Sequence, residues 1–181
     1  MKLYILSALI LFTFSACDNW KPDFKHANTK AQKIMTDEFL WNPIEETSPF
    51  GNDDGADAIM EFRKWRKQNQ SQDPTVFVEK LLAEWNYSVY NYHQTDTIEI
   101  HNFIESKDIG ARLYFGIDDV IIATGFGQFI IEGTIDKNLK ELILIALRRQ
   151  LLPFSMKLID VDNRNKRALQ LTRMIEIINA T

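Results

Sequence analysis

Apolar residues recur every three to four positions along most of this chain, the spacing of one face of an α-helix. Ala31, Ile34 and Met35 mark a first helix over 28–39, which Trp41-Asn42-Pro43 ends because proline pushes its predecessor out of the helical region. Ala58, Ile59, Phe62 and Trp65 form a second stripe, with Glu61, Arg63, Lys64 and Lys67 on the opposite face. Asp53 or Asp54 is placed to cap that helix, and Asp57 adds negative charge near its positive dipole end. Asp73-Pro74 restarts the pattern, since aspartate caps and proline at the first helical position has no amide to waste. Phe77, Val78, Leu81, Leu82 and Trp85 follow at helical spacing, and Asp96 is placed to cap a segment holding Ile100, Phe103 and Ile104.

Two stretches resist this reading. The aromatic-rich run near 87–92 fits a short strand or an irregular connection. Between Ile109 and Ile131, Val120-Ile121-Ile122 and Phe129-Ile130-Ile131 have strand propensity. Asp118-Asp119 before the run and Gly133 after it nevertheless read as helix start and stop signals, and a nearly all-apolar stretch between them suits a buried helix. Gly125 and Gly127 inside it imply close approach of another helix. Asp136 then opens the stripe Leu139, Leu142, Ile143, Ala146 and Leu147, ending near Pro153. Ala168, Leu171, Met174, Ile175 and Ile178 define a last helix over 164–179. The expected fold is mainly α, one compact domain of six or seven helices with a candidate strand near 87–92.

The amino terminus has a different pattern. Met1-Lys2 precedes an apolar run from Leu3 to Phe14, and Ser15-Ala16-Cys17 follows. That run is about twelve residues, shorter than the roughly twenty of a membrane-spanning helix, and it reads as the core of a secretory signal. Phe14-Ser15-Ala16-Cys17 resembles the bacterial lipobox, with Phe14 where leucine is usual. The resemblance implies cleavage before Cys17 and acylation of its thiol, palmitate among the chains, with anchoring at an extracytoplasmic face of a bacterial cell membrane. More than one acyl chain gives stable anchoring. The expected organisation is a signal peptide over 1–16, a polar tether over 17–29 and a helical domain over 30–181.

Cys17 is the single cysteine of 181 residues, so the exported domain has no disulfide framework. Without its signal the chain keeps 20 basic and 25 acidic side chains, a net charge of −5. That balance argues against a nucleic-acid partner, which requires a clustered basic face.

Candidate chemistry is sparse. Thr47 to Asp57 is the most idiosyncratic stretch, with Asp53, Asp54 and Asp57 in five residues. Counted from Asn52, the sixth position is Asp57 where a calcium loop of the EF-hand type needs glycine, so capping is the stronger reading and a calcium-stabilised module the weaker one. His26, His93 and His101 lack zinc-site spacing, and no metal or cofactor is expected. Glu45, Glu46 and Asp54 are the carboxylates from which a hydrolase pair would come, alongside Asp37-Glu38, but the separation that such chemistry requires is not written in sequence. Ser48 and Ser155 have no nucleophile-elbow context. Trp65 and Trp85 lie on apolar stripes and read as core, whereas Trp41 sits in a loop as a candidate exposed aromatic.

The run Lys33-Ile34-Met35-Thr36-Asp37-Glu38-Phe39-Leu40-Trp41-Asn42-Pro43-Ile44-Glu45-Glu46, then Pro49-Phe50-Gly51-Asn52-Asp53-Asp54-Gly55-Ala56-Asp57 and Phe62-Arg63-Lys64-Trp65-Arg66, resembles the YfeS-like uncharacterised bacterial proteins. That resemblance brings no established activity and therefore no catalytic residue. The expected function is a membrane-anchored, non-enzymatic binding module. Its first candidate partner surface is Trp41 and Phe50 beside Asp53, Asp54 and Asp57, and an envelope hydrolase is the alternative.

Overall fold

The structure is a computed structural model and describes residues 20–181 apart from 88, 89 and 107. Cys17 and the signal segment lie outside the described residues, as do Ser88 and Val89 of the candidate strand. Among the described residues there are eight α-helices and no strand, forming one compact domain. They are α1 (Thr29–Ile34), α2 (Asp53–Gln68), α3 (Pro74–Glu84), α4 (Thr97–Glu105), α5 (Gly110–Glu132), α6 (Lys137–Gln150), α7 (Pro153–Lys157) and α8 (Arg164–Ala180). A single 3-10 turn, Glu38–Trp41, separates α1 from α2.

Helix α5 is the axis of the fold. Its apolar residues surround it on all sides, as expected of a helix buried by neighbours. It is long and apolar enough to cross a bilayer, yet 83 % of its most apolar window is buried inside the domain. Helices α2 and α6 flank it, α3, α4 and α1 cover the remaining faces, and α8 packs on the outer side of α6. Phe62, Tyr114, Phe126 and Phe129 are the largest fully buried side chains of the continuous core.

Glycine sets the closest approaches. A Cβ on Gly125 would lie 1.9 Å from Cδ1 of Ile143 on α6, and one on Gly127 would lie 2.2 Å from Cδ1 of Ile59 on α2. Gly133 ends α5 in the left-handed region at φ 74°, where a side chain is disfavoured. Asp73 and Asp96 cap α3 and α4 as their spacing predicts, each accepting from backbone amides of the first turn.

Several boundaries differ from the sequence reading. The first helix stops at Ile34, because Met35 turns out of helical geometry at ψ 64°. Asn52, not Asp53 or Asp54, caps α2 by accepting from the Gly55 amide at 2.7 Å. Asp118-Asp119 do not start α5; they sit near its middle, eight residues past Gly110. Pro153 opens the short α7, the helix beyond the expected seven.

Residues 20–28 are also no free tether. Gln32 Nε2 donates to the carbonyls of Phe24, Lys25 and Ala27, and the Asn28 amide donates to the Ile130 carbonyl at 2.7 Å. Arg63 lies 4.7 Å over the Trp20 ring. The packed chain therefore begins by Trp20.

Candidate functional site: a carboxylate-lined cleft

The loop before α2 is built tightly against the first turn of that helix. A Cβ on Gly51 would come within 2.0 Å of the Glu45 carbonyl oxygen, and one on Gly55 within 2.5 Å of the Pro49 carbonyl oxygen. Only glycine fits at either position, which explains why this stretch looks unusual in sequence. The loop, the start of α2, the first half of α5 and the start of α8 then enclose a cleft of about 350 Å³. Glu46, Asp53, Asp54 and Asp119 supply carboxylates to its wall, and Arg112 and Arg167 supply cations.

Both cations are committed. Arg112 grips Asp54 with both arms, through a short contact to Oδ2 and 3.1 Å to Oδ1. Tyr87 donates to the same Oδ1 at 3.1 Å. The pair has room because Gly116 stands beside it, where a Cβ would lie 2.7 Å from Asp54 Oδ2. The Asp54 hydrogen bonds hold the Arg112 guanidinium above its ordinary range, while burial, with the Asp54 charge, raises the Tyr87 phenol. Arg167 is only 6 % exposed. It donates to the Thr47 carbonyl at 2.7 Å and to Gln150 Oε1 at 2.5 Å, so its hydrogen-bonding partners are neutral.

Asp119 is half-buried on the cleft wall and forms no ion pair among the described residues; the Gln150 side chain is the one donor directed at its carboxylate. Burial pushes that carboxyl up to about 7; Asp118 and Asp54 push the same way, and Arg167 opposes them. Behind it Asp118 is fully buried against Arg149 of α6, whose Nε lies 2.6 Å from Oδ1. Burial raises the Asp118 carboxyl to about 6 against the pull of Arg149. Burial pulls Arg149 down in turn, but Asp118 overrides it and holds the guanidinium charged. Asp118 Oδ2 and Gln150 Nε2 remain without hydrogen-bond partners among the described residues.

The residues picked out in sequence are only partly assembled here. Asp53 and Asp54 reach the cleft; Asp57 is exposed on the next turn and lies outside it. Phe50 is no surface aromatic: it is buried in the core, drawn in by the turn that Gly51 permits. Trp41 is half-buried, its indole donating to the Met35 carbonyl at 2.8 Å and its ring meeting Phe24 edge-on. Trp41 and Phe50 therefore do not form an exposed aromatic patch.

The carboxylates named for hydrolysis are not brought together as a free pair. Glu45 is bound by Lys166 at 2.6 Å and by Thr47 Oγ1 at 2.6 Å, and the Lys166 hydrogen bond holds its carboxyl below the ordinary range. Asp54 is occupied by Arg112. Asp37 faces Arg173 on α8 at 2.7 Å. For the calcium reading, Asp54 is spent on protein donors, and no group of three His, Cys, Asp or Glu among the described residues is placed to hold a metal ion. Ser155 is structural, buried between Tyr114 and the Arg149 carbonyl.

Sequence reasoning missed Arg112, Asp119 and Arg167. Their adjacency to the loop is tertiary, and the one local signal was a pair of aspartates inside a run too apolar to expose them. Comparison of the chain with protein-family models, curated proteins and solved structures finds no match.

Proposed function

We propose that this chain is a bacterial envelope lipoprotein, held outside the cytosol through acylated Cys17, with a YfeS-like helical domain that binds a protein partner without catalysis. The observation that supports the binding reading is the charge imbalance of the cleft. Arg112 is neutralised by Asp54, whereas Glu46 and Asp53, with a partly protonated Asp119 beside them, face only the charge of Arg167 and form no ion pair among the described residues. Surplus negative charge around a concave, partly buried site suits a lysine or arginine side chain of a partner. The lipobox-like Phe14-Ser15-Ala16-Cys17 supports the tether.

Affinity capture from native membranes tests the binding reading. A partner held by the natural protein and lost by Asp119→Lys, at equal melting temperature, is the expected result. Equal retention by both would remove the cleft from the account. Intact-mass measurement tests the tether, with a chain beginning at acylated Cys17 as the expected species.

One observation favours hydrolysis as a second reading: Asp119 is held near neutral in a cleft that also contains Glu46, the condition for a general acid. Turnover of envelope glycan or peptide abolished by Asp119→Asn would select it over simple binding.

A further inference from the structure

A second groove lies at the other end of α2 from the cleft. It encloses about 550 Å³ between the first packed residues of the chain and the carboxyl-terminal turns of α2 and α5, with Trp20, Arg63, Lys67 and Ile131 on its walls. We infer that this face lies on the surface of an anionic bilayer, with Trp20 at the level of the lipid headgroups and the carboxylate cleft pointing away. The inference rests on the proposed acylation of Cys17.

Chain length makes the first part of the case. Trp20 is already packed under Arg63, and Gln32 and Ile130 fix the segment that follows it. Three chain steps, through Asp18 and Asn19, separate Cys17 from Trp20. At about 3.5 Å per residue, they span no more than roughly 10 Å. An anchored sulfur therefore holds the Trp20 end of the domain against the membrane, and no other face can reach it.

Charge and side-chain type make the second part. The chain is net negative, yet residues 20–35 carry four lysines against a single acid, Asp23. Lys21, Lys25 and Lys30 are exposed. The groove wall itself carries Arg63, Arg66 and Lys67 against Asp23 and Glu132. Phe24 is 43 % exposed, and Ile131 is also exposed on the groove. Basic side chains around a tryptophan and a few apolar residues suit the headgroup region of an anionic membrane, where indole rings settle and lysines are attracted. Elsewhere the acidic surface is repelled by the same field, so charge and tether select one orientation.

Helices α2 and α5 run in the same direction, with Asp54 facing Arg112 at their amino ends and Arg66 facing Glu132 at their carboxyl ends. Twelve residues of α2 separate Asp54 from Arg66, about 18 Å at 1.5 Å per residue. Docking through the groove thus carries the cleft to the far side, open to a partner.

The test uses the full chain purified from membranes, checked by intact mass and placed in phosphatidylglycerol vesicles with brominated acyl chains. Tryptophan emission is expected to be quenched in the natural protein, and Trp20→Phe should remove most of the quenched component. Lys21→Glu with Lys25→Glu, both exposed, should lower the quenching at least twofold without moving the melting temperature, and phosphatidylcholine vesicles should do the same. An unacylated amino terminus would overturn the tether and this orientation together. Acylated protein whose Trp20 is not quenched would overturn the orientation alone and leave the tether standing; a groove filled by the amino-terminal segment or by a second copy gives that result. Quenching indifferent to charge reversal would also overturn it.

Discussion

The two ends of the α2–α5 pair are closed by the same chemistry in opposite order. At the amino ends α2 supplies the acid, Asp54, and α5 the base, Arg112. At the carboxyl ends α2 supplies Arg66 and α5 supplies Glu132. Both α5 members oppose that helix's own dipole, a cation at its start and an anion at its end, so each is tolerated through its partner on α2. The difference lies in what remains to be satisfied. The Arg66 side chain is 9 % exposed and fully used: Nε and Nη2 meet Glu132, Nη1 meets the Gln72 carbonyl at 2.6 Å, and Glu132 also accepts from Gln128. The Arg112 side chain is 54 % exposed, and beside it Asp119 forms no ion pair among the described residues. A closed network serves as glue. An open one has capacity left for something else.

The Asp118–Arg149 pair between α5 and α6 marks the buried extreme against which both ends are measured. Arg149 is also held by the Tyr92 carbonyl at 2.9 Å and lies over the Tyr90 and Tyr114 rings. Arg149→Ala leaves Asp118 buried and uncompensated and should cost about 3–5 kcal/mol in urea unfolding. The double variant Asp118→Asn, Arg149→Met removes both charges and should recover most of that loss. If the single variant loses under 1 kcal/mol, the pair is not holding α5 to α6.

The two ends themselves should separate by a smaller margin. Arg66→Ala strands a half-buried Glu132 and two loop carbonyls, for an expected loss of about 2–3 kcal/mol. Arg112→Ala removes the exposed member of its pair and leaves the buried Asp54 with the Tyr87 hydroxyl as a donor, so it should cost about 1–2 kcal/mol. Equal losses in denaturant titrations would mean that the amino end is structural too, and the distinction between glue and site would fall.

A third comparison lies inside α5. Alanine favours a helix over glycine by roughly 1 kcal/mol, which works against the steric cost at each site. At Gly125 the new methyl would meet two atoms of Ile143, at 1.9 and 2.6 Å, whereas at Gly127 only the far end of Ile59 is close. Gly125→Ala should therefore lose about 1–2 kcal/mol and Gly127→Ala less than about 1 kcal/mol. Ile143→Val should relieve the first and leave the second unchanged.

Most of the helices were legible because each buries one stripe, against α5 or in the case of α8 against α6, and writes that stripe at helical spacing. Helix α5 was legible as a type but not in extent. Two adjacent aspartates before an apolar run are the ordinary mark of a helix start, and only tertiary surroundings, Arg149 for Asp118 and the cleft for Asp119, permit them in mid-helix. Pro153 has the same ambiguity, since proline both ends one helix and opens the next. Of the cleft, the loop acids Glu46, Asp53 and Asp54 could be picked out locally. Arg112, Asp119 and Arg167 could not, because the folding of α5 and α8 onto the loop brings them there. Residues 20–28 passed for a tether because Gln32 and Ile130, the groups that hold their backbone, lie outside the segment.

The smallest expected effect is also the one that most sharpens the amino end. Asp119 is raised to about 7 in the folded protein from an ordinary aspartate value of 3.8. The folded state thus binds this proton more tightly than the unfolded chain does. Its contribution to stability is fully present below about pH 4 and is lost as pH rises toward 7, flat thereafter. Asp119→Asn should match the natural protein at pH 4.5 and exceed it at pH 8, by about 1–2 kcal/mol after allowance for partial solvation. Glu45, Asp73 and Glu132 are held below their ordinary values and give the opposite slope at lower pH. They are common to both proteins, so the difference between the two unfolding curves reads Asp119 together with its effect on the neighbouring Asp118, itself raised to about 6. A difference that does not change between pH 5 and 8 would mean that the cleft wall is already satisfied, and the two ends of the helix pair would then be alike.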